Sequence, residues 1–286
     1  MYVPVSLDDA LRYLEENPTD TFPIAGGTDL LSRINRKQVS AKNLVDLSGL
    51  SELRYIKREN RTIKIGALTT IADLEGQQEN TAWGELLYDV AKKFGSPNIR
   101  TLATVGGNIC AASSSEDLIP VFLTLDAKVK TIRRDRQREM SLQEFLVAKR
   151  KTALDPSEIL AQVSFTQPSA LAACAFEKLG MRNTLIISLV SVAAFLEGDQ
   201  NRSKIERARI ALNRLRRKIP ERAQSVEKEL LGQKLDAHTI KTAGELLEKE
   251  LALTSDFRAS SEYRCEAAKV LLRRALVQCQ ERILGK

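Results

Sequence analysis

Apolar positions along the chain change their spacing several times, and each change marks an element. Leu7, Ala10, Leu11 and Leu14 lie on one helical face behind Ser6-Leu7-Asp8-Asp9, a Ser-x-x-acid start, and Pro18 stops the run. That predicts a helix over 7–16. Residues 22–25 read as a brief strand, 30–36 as a helix and 44–47 as a short buried strand. Segments 53–57 and 62–67 alternate with period two around Glu59-Asn60-Arg61, the pattern of a β-hairpin. A helix opens at 69–74, and Leu86, Leu87, Val90, Ala91 and Phe94 place another, core-facing, over 80–94.

Further on, 121–125 is apolar and 128–133 alternates as a strand, with Arg133-Arg134-Asp135-Arg136-Gln137-Arg138 as a charged, solvated hairpin tip. Ser141-Leu142-Gln143-Glu144 caps a helix expected to run to about Arg150, and 158–165 is a closing strand. Thr166-Gln167-Pro168-Ser169 reads as a linker. After it come strands over 172–180, 186–197 and 205–213, with a turn at 198–201, and helices over 221–231, 236–251 and 261–284. The order predicts an α+β protein of two domains, 1–166 and 170–286.

A chain of 286 residues can bury the cores of two domains. No apolar run reaches the roughly 18 residues that span a bilayer, and the start carries no basic segment followed by an apolar core, so a cytoplasmic protein is expected. Cys110, Cys174, Cys265 and Cys279 are widely separated and form no Cys-x-x-Cys. A zinc or iron–sulfur ligand set is therefore not expected, and all four read as free thiols, Cys110 as a small buried apolar residue. With His238 the only histidine, and in a polar stretch, a Ser-His or Cys-His pair finds no support. No catalytic residue is assigned, and chemistry must come from a bound cofactor. The formal charge is +7, yet aromatics are only 5% and no nucleic-acid signature accompanies the basic residues. An acidic protein partner, or cofactor phosphates, better accounts for the excess.

Two glycine-bearing stretches carry the candidate chemistry. One is Ile24-Ala25-Gly26-Gly27-Thr28-Asp29-Leu30-Leu31; the other is Ala103-Thr104-Val105-Gly106-Gly107-Asn108-Ile109, with Asp117 downstream. Adjacent glycines permit φ > 0 and leave no Cβ in the way, so backbone amides can close on a pyrophosphate, and two such cups can grip one diphosphate. Neither is a Walker loop or a Gly-x-Gly-x-x-Gly turn, and each alone could be an ordinary strand-to-helix turn.

These blocks, with Ile99-Arg100-Thr101-Leu102 before the second stretch and Glu262-Tyr263-Arg264 and Val270-Leu271-Leu272-Arg273-Arg274-Ala275-Leu276 near the end, are similar in order and spacing to the FAD-binding, or medium, subunit of molybdenum hydroxylases, the family of xanthine, carbon monoxide and nicotinate dehydrogenases. The resemblance covers nearly all of the chain. It implies an FAD-binding domain of the vanillyl-alcohol-oxidase type, followed by a C-terminal domain with a three-stranded antiparallel sheet backed by helices. It also implies an electron-transfer role: a [2Fe-2S] partner subunit would deliver electrons from a large molybdopterin subunit, and FAD would pass them to NAD or another acceptor. The cofactor positions it carries over are Ile24 to Leu31 and Thr104 to Asn108, with Phe94, Asp117, Leu160 and Lys178. Phe94 could equally be core packing, and Asp117 the N-cap of the following helix. A lysine such as Lys178 on an apolar strand needs a partner, for which a phosphate or flavin carbonyl would serve. Two rival functions stay open, a stand-alone flavin oxidoreductase and a module of this fold without cofactor. The chain departs from the family at 213–220, where relatives carry a small glycine-containing stretch; here 202–222 holds nine basic residues, read as a solvated face.

Overall fold

The computed structural model describes residues 1–77, 79–180, 188–213, 219–251 and 255–284. By packing, the chain divides into two compact units that do not follow one cut along the sequence. The first comprises Met1–Leu74, Ser96–Ala112 and Asp126–Thr166; the second comprises Glu75–Gly95, Ser113–Leu125 and Gln167–Lys286. The proposed linker starts where the first unit ends.

In the first unit, helix Leu7–Glu16 forms as its pattern predicts, with Ser6 Oγ accepting the Asp9 N–H at 3.2 Å. Ala10, Leu11 and Leu14 pack against Val45, Leu47, Leu50, Leu53 and Ile159. At 4% and 0% exposure, Leu11 and Leu14 each contribute about 1.5–3 kcal/mol by leaving water. Strand Thr21–Ile24 runs parallel to Asn43–Asp46 and feeds the first glycine stretch, after which helix Leu30–Asn35 follows. The rest of the unit is built on a five-stranded antiparallel sheet in the order Ile56–Glu59, Thr62–Gly66, Ile159–Thr166, Lys128–Arg133, Arg136–Ser141. The first hairpin turns through Asn60, whose φ of 55° is the left-handed value that asparagine tolerates.

The helix expected from Ser141 to Arg150 is a correction. The Ser141–Glu144 capping box forms, but the helix lasts only Leu142–Phe145. Leu146–Ala148 is a strand that pairs with Lys151–Thr152, so the backbone at Arg150 has to reverse, at φ 62°. Strand pairing takes the residues that a continuing helix would have needed.

In the second unit, Ala172–Leu179, Val190–Gly198 and Ile205–Leu212 form the three expected long antiparallel strands, and Glu221–Arg222 adds a short fourth at the edge. The central strand is buried at every residue, as a strand covered on both faces must be. Val190, Val192, Ala194 and Leu196 join one core with Leu271, Leu272 and Leu276 of helix Ser261–Leu284. The helix expected from 221 begins instead at Gln224, because Glu221 and Arg222 pair with Leu212 and Ala211. Residues 186–187 of the expected strand, and 214–218 of the basic segment, lie outside the described residues.

Candidate functional site

The first glycine stretch is shaped by what it lacks. A Cβ built on Gly26 would lie 1.6 Å from the Leu102 carbonyl oxygen, so only glycine lets this turn rest on the backbone that leads into the second stretch. Gly27 has φ +68°, the left-handed region that glycine occupies without strain. The two stretches therefore touch. Leu47 donates to the Ile24 carbonyl at 2.8 Å and Leu31 to that of Gly27 at 3.0 Å, which leaves the amides between them as the open side of the turn. The N–H groups of Ala25, Gly26, Gly27 and Thr28 donate to no acceptor among the described residues. A run of adjacent amides left without partners suits an anion such as a diphosphate.

The second stretch differs from expectation. It is not an open loop but the start of a helix, Val105–Ala111, capped by Thr104, whose Oγ1 accepts the Gly107 N–H at 3.0 Å. Val105 donates to Thr69 O at 2.9 Å, Gly106 to Ala67 O at 2.8 Å and Asn108 to Thr104 O at 3.0 Å. These amides are already used, and neither glycine has positive φ. Gly106 is needed because a Cβ there would meet that of Ala67 at 2.6 Å, and Gly107 because one would meet Thr104 Oγ1 at 2.8 Å. So the amide cup belongs to the first stretch, and the second supplies its floor. Leu160 sits in the same unit, 4% exposed, on strand Ile159–Thr166; the next residue, Ala161, accepts from Ala67, which in turn accepts from Gly106.

The other three predicted positions gather in the second unit. Lys178 Nζ lies 2.5 Å from Asp117 Oδ2 and donates to the Lys93 carbonyl at 3.0 Å, beside Phe94. Asp117 also accepts from Ser188 Oγ at 2.5 Å. With side chains only 6% and 7% exposed, Lys178 and Asp117 form a buried ion pair, which is how this lysine on an apolar strand is tolerated. Asp117 does stand at the N-cap position of helix Leu118–Thr124, but its side chain caps no amide there. The tertiary partners have taken both oxygens. Phe94 is half-buried. Two residues in these clusters went unmarked in the sequence: Ser188, and Arg150, which touches Asp29. Neither sits in a motif, and only the fold brings them in.

All four cysteines are free thiols, and burial pushes the Cys110 thiol up to about 12. His238 is exposed. No cluster that could hold a metal occurs among the described residues. The arrangement is that of an α+β protein with an unpaired run of backbone amides in one unit and a buried lysine–carboxylate pair in the other.

Comparison with known proteins carries this further. Residues 1–168 match the FAD binding domain in molybdopterin dehydrogenase, and residues 175–279 the CO dehydrogenase flavoprotein C-terminal domain. The chain is 38% identical over 196 residues to the nicotinate dehydrogenase FAD-subunit of Eubacterium barkeri, a match covering 66% of this chain and 65% of that protein, just under two thirds of its length. It is 28% identical to the carbon monoxide dehydrogenase medium chain of Afipia carboxidovorans, over 98% of this chain and 96% of that one. It also superposes on a chain of the reconstituted CO dehydrogenase from Oligotropha carboxidovorans with a TM-score of 0.92 at 27% identity, covering 98% and 97% of the two chains. The chain belongs to the FAD-binding medium subunits of molybdenum hydroxylases, an oxidoreductase family whose cofactor on this subunit is FAD. No helix among the described residues is long and apolar enough to cross a membrane.

Proposed function

We propose that this chain is the electron-transfer flavoprotein of a cytoplasmic three-part molybdenum dehydrogenase, accepting electrons from a small [2Fe-2S] subunit and passing them to NAD or another acceptor, while a large molybdopterin subunit oxidises the substrate. FAD would supply the exchange between the single electrons of an iron–sulfur relay and the electron pair of the acceptor. The protein's part is to bind and orient. Ile24 to Leu31 would hold the diphosphate on open amides, Thr104 to Asn108 would form the floor, and Leu160 would contact the nucleotide. Phe94, Asp117 and Lys178 would complete the binding set, with the cofactor domain at 1–166 and the C-terminal domain at 170–286. A resident acid–base catalyst is not required, in keeping with the exposed position of the single histidine.

The observation that carries this reading is the open run of amides at 25–28, on a turn whose contact with Leu102 tolerates no side chain. The test is flavin content after purification, by visible absorbance and acid release of the nucleotide. Wild type is expected to carry FAD. Gly26→Val is expected to lose it, while Gly49→Ala, where an added Cβ meets nothing within 4 Å, keeps it. A Gly26→Val protein that retains a full complement of FAD would falsify the cradle, and a wild type without flavin bands would point to the cofactor-free module.

A further inference from the structure

We propose that Arg150 is a positioning residue for the diphosphate cradle, holding the first glycine stretch in its binding shape through Asp29; the proposal rests on the flavoprotein reading above. A turn whose amides are left open for a ligand has few internal bonds to fix it, so its shape has to be imposed from outside. Arg150 does this from a third segment of the chain. Its Nη1 donates to Asp29 Oδ2 at 2.7 Å and to the Ala111 carbonyl at 3.1 Å, and its own N–H donates to the Ala112 carbonyl at 2.8 Å. One guanidinium thus ties the acid of the first stretch to the end of helix Val105–Ala111, which the second stretch begins.

Electrostatics point the same way. Asp29 ends the turn that would receive a doubly charged diphosphate, and a lone carboxylate there would repel it. Arg150 neutralises that carboxylate, with Arg33 3.7 Å away as a weaker second cation. The cation also sits at the carbonyl end of a helix, where positive charge is favoured. The left-handed φ of 62° at Arg150 belongs to the reversal between strands Leu146–Ala148 and Lys151–Thr152, so the side chain is carried at the tip of a paired hairpin. Lys149 and Lys151 on either side are exposed, and neither has an ion pair with a described residue.

Because the Arg150 and Asp29 side chains keep 29% and 36% of their surface, the effect is modest and screened by salt. The experiment measures equilibrium binding of FAD, and of riboflavin, which lacks the phosphates, to the flavin-stripped full chain at low salt. Wild type is expected to prefer FAD. Arg150→Met is expected to raise the FAD dissociation constant about fivefold, equivalent to about 1 kcal/mol, and to leave riboflavin within about twofold. Arg150→Lys, which keeps the charge, should recover part of the loss. In an Asp29→Asn background, Arg150→Met should cost less than about twofold, because the tie is already cut. Equal losses for FAD and riboflavin, or no change for FAD, would overturn the proposal, since a merely structural residue would weaken both ligands alike. A wild type with no preference for FAD over riboflavin overturns the diphosphate cradle itself, and this proposal with it.

Discussion

At the scale of single residues, burial sets reactivity. Cys110 follows the second glycine stretch, where a reactive thiol could have met a ligand, but burial lifts it to about 12, and Cys279 likewise to about 12. Cys174 is raised well above its ordinary value, first by burial and then by the neighbouring Cys279, whereas Cys265 keeps a partly open thiol on helix Ser261–Leu284. A thiol at about 12 is thiolate in only about one molecule in ten thousand at pH 8, and the thiolate is the nucleophile. The folded protein at pH 8 should therefore react first with a disulfide reagent at Cys265, more slowly at the half-buried Cys110, and at the buried Cys174 and Cys279 only once denatured. Mass-mapped modification of Cys174 or Cys279 in the folded state would show that the core of the second unit opens far more than this structure allows.

Between elements, the Asp256 carboxylate ties the turn at 255–260 to helix Ser261–Leu284, beside bonds from Ser261 to Ser255 and from Arg264 to the Ala259 carbonyl. Asp256 accepts from the Arg258 backbone N–H at 2.9 Å and lies 2.5 Å from Nη2 of both Arg258 and Arg264; buried Arg264 also donates to the Leu189 carbonyl at 3.1 Å. Partial burial pushes the Asp256 pKa up, but the Arg258 side chain and amide and the two guanidinium charges outweigh it, and the group sits well below the usual carboxylate range. A carboxyl that is more acidic folded than unfolded stabilises the fold above its unfolded value near 3.8, and that contribution fades as pH falls toward the folded value. Wild type should exceed Asp256→Asn in thermal stability by a constant margin from pH 7 to about 5, and the margin should shrink below about pH 4. A margin that does not change down to pH 2.5 would show that the ion pairs contribute nothing through ionisation. The same contrast between local and distant causes decides what the sequence could reveal. Helix Leu7–Glu16 and the hairpin through Asn60 were legible because the cap, the turn residue and the apolar spacing all lie within a few positions. The end of the helix after Ser141, the state of the second glycine stretch and the partners of Asp117 were not. The last two depend on residues far along the chain, Ala67 and Lys178, and the first on a tight reversal, Ala148 pairing with Lys151, that no turn residue announces. The glycine pairs marked the right places; which amides stay open depended on the carbonyls of Thr69 and Ala67, which no motif names.

At the scale of the whole molecule, the two units draw on interleaved stretches, with 75–95 and 113–125 packing in the second unit although they flank the second glycine stretch in sequence. Family models divide the chain near 168–175, next to the linker expected at Thr166 to Ser169, but packing assigns those two helical excursions to the later unit. The chain carries a formal charge of +7, and part of its densest basic run, residues 214–218, lies outside the described residues. A protein so charged associates fastest with an acidic surface, and the attraction decays as the screening length falls from about 10 Å at 0.1 M salt to about 3 Å at 1 M. If the partners proposed above supply that surface, the chain should co-migrate with molybdenum and iron on size exclusion of an extract at low salt. Its rate of reassociation with isolated partner subunits should then drop at least about tenfold between about 0.05 and 0.5 M salt, while its dissociation rate changes much less, because long-range charge acts mainly on encounter. An association rate indifferent to salt would place the docking energy in apolar contacts and leave the positive charge to the cofactor phosphates. Migration as a lone flavoprotein under every condition would favour the stand-alone oxidoreductase over the subunit.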